Sequence, residues 1–163
     1  IILYNVPGRT GCGISERVVE QLSHHPNICG IKEASGSISF AARIARYVNE
    51  DFAMYSGNDD MITSMLALGA SGVISVLANV VPKETHDIVA RWHDGDVTAS
   101  RNAQLRYLDL IEALFCEVNP IPVKAAMNLM GMEVGGYRYP LCDMMPDTYA
   151  HLKSVMERYG LCE

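Results

Sequence analysis

Lys32 is the side chain with the most chemistry in it. It stands in Cys29-Gly30-Ile31-Lys32-Glu33-Ala34, where apolar residues precede it. Taking an amine out of water disfavours its ammonium form, and a neutral lysine amine can attack a ketone to form an imine. The plainer alternative is a lysine at a strand end that reaches solvent or pairs with Glu33. Tyr4 ends the earlier apolar run Ile1-Ile2-Leu3-Tyr4. A phenol there could carry protons to and from an imine at Lys32; the alternative is a buried tyrosine whose hydroxyl is satisfied by backbone. Arg9 lies in the loop Asn5-Val6-Pro7-Gly8-Arg9-Thr10-Gly11, whose Pro and Gly favour a fixed turn. Its guanidinium could grip a substrate carboxylate with two parallel hydrogen bonds, or simply be solvated.

These residues act together only if the fold gathers strand ends. Residues 1–94 alternate short apolar runs with amphipathic stretches, the pattern of βα units. Strands are expected at 1–5, 28–33, 52–57 and 72–76, nearly continuous in hydrophobicity, as in a parallel sheet covered on both faces. Apolar positions spaced by three and four mark helices between them: Val18, Val19 and Leu22; Ile44, Ala45 and Val48; Met61, Met65 and Leu68. Ser15 before Glu16 suits a helix start, Gly69 a helix end, and Pro82 opens a fourth helix running to about residue 94.

Asp94-Gly95-Asp96 breaks the alternation, and only helices are expected beyond it. One should cover 98–115, a second should follow Asn119 as its cap and close at Gly131, and a last should cover 147–159. The expected fold is α/β: half of a (β/α)8 TIM barrel over 1–94, followed by an all-helical C-terminal extension over 95–163. Barrel chemistry sits at the C-terminal ends of the strands, where Tyr4, Lys32, Gly57 and Ile74 fall. A whole barrel takes about 250 residues, so a chain of 163 that opens on Ile1 inside a strand pattern is expected to be a portion of one.

Composition narrows the functional classes. Acidic residues outnumber basic ones, 19 to 13, for a net charge of −6, so no basic field draws the chain to nucleic acid or an anionic membrane. No apolar run approaches the roughly 20 residues of a membrane-spanning helix, and a cytosolic protein is expected. Cys12, Cys29, Cys116, Cys142 and Cys162 form no Cys-x-x-Cys pair, which suggests reduced, mostly buried thiols. His24, His25, His86 and His93 have no carboxylates at metal-ligand spacing, so no metal is expected. The chain has neither a phosphate-binding glycine loop nor a Gly-x-Ser-x-Gly elbow.

Five blocks in order carry a family resemblance: Leu3-Tyr4-Asn5-Val6-Pro7-Gly8-Arg9-Thr10-Gly11; Gly30-Ile31-Lys32-Glu33-Ala34-Ser35-Gly36; Tyr55-Ser56-Gly57-Asn58-Asp59; Gly69-x-x-Gly72-Val73-Ile74-Ser75-Val76; and Asn119-Pro120-Ile121-Pro122-Val123-Lys124. From Ile1 to Glu163 the chain resembles the dihydrodipicolinate synthases, in their C-terminal portion. The resemblance implies that Lys32 binds pyruvate as a Schiff base, that Tyr4 relays protons, and that Arg9 receives the carboxylate of aspartate semialdehyde. Gly57 and the carbonyl of Ile74 would line the pyruvate site. The implied reaction is that of a lyase in lysine and diaminopimelate biosynthesis, with no cofactor beyond the covalent imine, in a homo-oligomer, dimer or tetramer. N-acetylneuraminate and sugar-acid lyases share the lysine and tyrosine; the Val-Pro-Gly-Arg-Thr-Gly block favours the synthase. The family's first four βα units, with two relay threonines, a tyrosine lent by a neighbouring subunit and most of the allosteric lysine site, have no counterpart here. An isolated segment is thus expected to have little or no activity, and a non-catalytic half-barrel assembly module is the remaining alternative.

Overall fold

The computed structural model describes residues 1–163. Four strands, β1 (Ile2–Asn5), β2 (Gly30–Glu33), β3 (Ala53–Ser56) and β4 (Gly72–Val73), form one parallel sheet in the order β1-β2-β3-β4. Each is followed by helix: α1 (Pro7–Thr10) and α2 (Glu16–Leu22), then α3 (Ile38–Ile44), α4 (Ile62–Ala67) and α5 (Pro82–His93). Helices α6 (Val97–Arg106), α7 (Leu108–Leu114), α8 (Ile121–Leu129) and α9 (Pro146–Arg158) complete the chain. No helix is long and apolar enough to cross a membrane.

Local chemistry sets the helix ends. Ser15 accepts a hydrogen bond from the Val18 amide at the start of α2, and Ser37 does the same for Phe40 at the start of α3. Gly69 and Gly131 adopt positive φ just past α4 and α8, where a side chain would be strained. At β4 the expected strand is cut short after Val73. The Asp59 carboxylate accepts from the amides of Val76 and Leu77 at 3.0 and 2.9 Å, pulling the chain into the 3-10 turn Leu77–Asn79.

The sheet is covered on one face only, which corrects the expectation of two. Leu3, Ile31 and Met54 point to the helices and pack with Val19, Ala41, Ile44, Phe52 and Met65. On the alternate positions Ile2 and Tyr4 are exposed and Lys32 and Tyr55 are half-buried. The outer edges of β1 and β4 are also unpaired within the chain. Phe52 is fully buried in the covered core. Phe52→Ala is expected to lower stability by about 3–5 kcal/mol, read from urea denaturation; Leu105→Ala, at an exposed position of α6, should stay within about 0.5 kcal/mol of wild type.

Three helical expectations are revised. The single helix over 98–115 divides at Tyr107, which leaves helical geometry (φ −98°, ψ 8°) and stacks on Tyr159 of the C-terminal turn at 5.4 Å. The Tyr159 hydroxyl takes up the carbonyl of Arg106 that the break leaves without a helical partner. Asn119 is not a cap: Pro120 holds the cap position of α8, and the Asn119 side-chain oxygen is buried without a partner. The helix through Ile44 and Ala45 tightens into a 3-10 turn, Ala45–Tyr47, and Val48 is extended. The change at residue 94 is one of secondary structure and not a gap in packing, because Leu77, Val80 and Val81 share a core with Leu110, Leu114, Ala126, Leu152 and Met156.

The thiols also depart from expectation. Cys12, Cys29, Cys116 and Cys142 are exposed and Cys162 is half-buried. The four exposed thiols lie in loops or at element ends, and Cys162, in the C-terminal tail, packs against the edge of the helical core.

Candidate functional site

Register brings the two reactive side chains together. Tyr4 pairs with Lys32, Lys32 with Tyr55 and Tyr55 with Gly72, so Tyr4, Lys32 and Tyr55 stand in one row across the uncovered face. The Lys32 Nζ lies 4.4 Å from the centroid of the Tyr4 ring, a cation–π contact. Tyr4 is 51% exposed, so it is not the buried tyrosine of the plainer alternative. Tyr55 is a neighbour of Lys32 that sequence reasoning passed over; alternation along a strand already places it on the Lys32 face.

Glu33 does not pair with Lys32. Strand alternation turns it to the helix side, where it is buried with Asn5 and Ser56. The Asn5 Nδ2 donates to Glu33 Oε2 at 2.6 Å, the Ser35 amide donates to Glu33 Oε1 at 2.7 Å, and the Ile14 amide donates to Asn5 Oδ1 at 2.9 Å. Ser56 binds the backbone of Asn58 in both directions, its hydroxyl donating to the carbonyl and accepting from the amide. A polar layer thus underlies the row Tyr4-Lys32-Tyr55 at its C-terminal end. The sequence signal for it is a polar residue directly after Tyr4, Lys32 and Tyr55 alike.

Gly57 continues the β2–β3 ladder, its amide donating to the Glu33 carbonyl at 2.7 Å. A Cβ at this position would stand 2.5 Å from Ala34 Cβ and 3.0 Å from both the Glu33 carbonyl oxygen and Lys32 Cε. The missing side chain is therefore the space that the lysine stem uses. Ile74 follows β4, its amide donating to the Ser56 carbonyl at 2.9 Å, and is 39% exposed. Lys32 lies against both Tyr4 and Gly57, and Ile74 is tied to β3 one residue before Gly57.

Arg9 sits in α1, the short helical turn after β1. The turn is held by Gly11 N–H donating to the Pro7 carbonyl at 2.9 Å and by the Thr10 hydroxyl donating to the Cys12 carbonyl at 2.7 Å. Arg9 is exposed and takes part in none of the chain's ion pairs. No group of three or more His, Cys, Asp or Glu is arranged to hold a metal ion.

An amine seated on a phenol at the C-terminal rim of a parallel sheet can form an imine with a carbonyl compound, and an arginine loop from the adjoining strand can bind an anion beside it. Comparison with known proteins gives the family. Residues 1–159 match the dihydrodipicolinate synthetase family. The chain belongs to that family. It is 54% identical over 161 residues to the 4-hydroxy-tetrahydrodipicolinate synthase of Acetivibrio thermocellus, covering 99% of this chain and 54% of the relative. Among solved structures it resembles the dihydrodipicolinate synthase of Thermotoga maritima, with a TM-score of 0.94, 39% identity, and 99% of this chain on 56% of that one. It also resembles the chloride-inhibited synthase of Acinetobacter baumannii complexed with pyruvate, with a TM-score of 0.92, 37% identity, and 98% of this chain on 55% of that one. The chain thus spans about half the length of the family members it matches. That share establishes an α/β portion with a parallel sheet, not the C-terminal half in particular that the sequence suggested.

Proposed function

We propose that this chain carries the Schiff-base lysine of a 4-hydroxy-tetrahydrodipicolinate synthase, a lyase of lysine and diaminopimelate biosynthesis, and that its four βα units are one half of a (β/α)8 barrel. The observation that carries the reading is the seat of Lys32, with Nζ over the Tyr4 ring and its stem against the space left by Gly57. The Lys32 amine attacks the ketone carbon of pyruvate, and water leaves to give the imine. Loss of a methyl proton gives the enamine, whose carbon attacks the aldehyde of aspartate semialdehyde. The amino group of the semialdehyde then adds to the imine carbon and displaces the Lys32 nitrogen, closing the ring. Tyr4 carries the protons of the first steps, and Arg9 binds the carboxylate of the aldehyde substrate. The imine supplies the electron sink, so the sequence of steps requires no metal or organic cofactor.

The pyruvate complex of the Acinetobacter baumannii relative supports pyruvate as the first substrate. A homo-oligomer, dimer or tetramer, belongs to the same reading, and exposed Phe115 and Val118 offer apolar surface that such an assembly would cover. Borohydride reduction in the presence of pyruvate, carried out on a complete barrel that contains this segment and followed by peptide mass analysis, tests the proposal. One reduced pyruvate is expected on the peptide that contains Lys32. Absence of any adduct would leave the half-barrel as a non-catalytic module. Competition between aspartate semialdehyde and sugar aldehydes then tests the second substrate, with the semialdehyde expected to win.

A further inference from the structure

Asn5 and Glu33 follow Tyr4 and Lys32 directly and pair with each other in the register, yet neither faces the substrate side. Both are 3% exposed, and each makes two side-chain hydrogen bonds. The pattern of donors and acceptors permits only one arrangement. Ile14 N–H requires an acceptor, so Asn5 must present its oxygen there and its NH2 to Glu33. Glu33 meets a donor at each oxygen, the Asn5 NH2 and the Ser35 N–H, so it must be a carboxylate, the only side-chain group of that length that accepts at both positions. Ile14 ends the loop that begins at Val6 and carries Arg9, and Ser15 next to it caps α2. The pair thus ties three things together: the strand of Tyr4, the strand of Lys32 and the far end of the Arg9 loop.

We propose that Asn5 and Glu33 are positioning residues for the aldehyde substrate: the buried amide–carboxylate pair sets where Arg9 stands relative to Lys32. The inference rests on the imine reading above and assigns these two residues to the second half-reaction. Neither residue touches substrate; both act through the loop.

The donor count supplies an unusual test. Glu33→Gln puts an NH2 where an oxygen must be: whichever way the Gln amide turns, one donor faces either Ser35 N–H or the Asn5 NH2. Flipping the Asn5 amide moves the conflict to Ile14 N–H. In the double variant Asn5→Asp with Glu33→Gln, the aspartate accepts from Ile14 N–H and from the glutamine NH2, and the glutamine oxygen accepts from Ser35 N–H, so every bond returns. In a complete barrel that contains this segment, Glu33→Gln is expected to speed hydrogen exchange at the Ile14 or Ser35 amide by about 10- to 100-fold, the loss of one hydrogen bond to a charged group. It should raise KM for aspartate semialdehyde by a similar factor while leaving pyruvate trapping on Lys32 within about threefold. The double variant should return exchange and KM to near wild type. If Glu33→Gln fails to fold, the double variant alone decides. The proposal is overturned if the double variant behaves as badly as the single one, or if Glu33→Gln exchanges like wild type. A complete wild-type barrel that traps no pyruvate sinks the imine reading instead, and amide exchange still decides whether the pair holds the loop.

Discussion

In a complete barrel that contains this segment, Lys32→Arg is expected to abolish the trapped pyruvate adduct and to lower turnover by about 10⁴-fold or more, as removal of a covalent nucleophile does. Arginine keeps the positive charge, a long stem and the ability to lie on the Tyr4 ring, but its guanidinium is always protonated and forms no imine. The fold should therefore survive, with stability within about 1 kcal/mol of wild type by urea denaturation. The chain has four lysines. Lys83 is bound to Asp87 at 2.5 Å, and that hydrogen bond holds its amine above the usual lysine pKa, making it a poorer nucleophile. Lys153 pairs with Glu157 at 3.6 Å, and Lys124 donates to the Gly136 carbonyl. Only Lys32 rests on an aromatic face without a carboxylate or carbonyl partner. An adduct that persists in Lys32→Arg, on any other lysine, would defeat the assignment.

The βα alternation was legible because each strand and helix has its own hydrophobic period, and a local pattern suffices to find it. The order of the four strands, their starts to within two residues, the Ser15 cap, Gly69 and the whole of α5 follow from such local signals. What escaped depended on partners far away in sequence. The break at Tyr107 is made by Tyr159, and the end of β4 by Asp59. The open face of the sheet is not legible in the sequence, because apolar residues such as Ile2 fit a covered strand equally well; only the count of strands present shows that nothing in the chain covers them. The exposed thiols escaped for a related reason: a small apolar side chain in a loop has no periodicity to report its surroundings.

The site shows the same division. Lys32, Tyr4 and Gly57 could be named from residue type and strand position, and register does place them together. Arg9 could be placed on its loop but not held there, because the anchor is Asn5, a residue that reads as an ordinary strand end. Adjacency in sequence suggests Glu33 as a partner of Lys32. In a strand adjacency means opposite faces, and the carboxylate works on the far side of the sheet.

Gly57→Ala is the second change with a large expected effect, and its cause is geometric. The new methyl would stand 2.5 Å from Ala34 Cβ and 3.0 Å from Lys32 Cε and the Glu33 carbonyl oxygen. Neither Ala34 nor the carbonyl can swing aside, since the carbonyl holds Gly57's own amide at 2.7 Å. Relief comes from opening the β2–β3 ladder or from pushing the lysine stem off its seat. Overpacking of this kind costs about 1–3 kcal/mol, measurable as a lower urea midpoint. Displacing the amine by about 1 Å should slow pyruvate trapping by roughly 100-fold. Adding Ala34→Gly removes the closest clash but leaves the contact with Lys32 Cε. The double variant should therefore regain most of the stability while trapping pyruvate almost as slowly as Gly57→Ala alone. If stability and trapping recover together, the glycine serves the ladder only, and the space beside Lys32 is not what it is for.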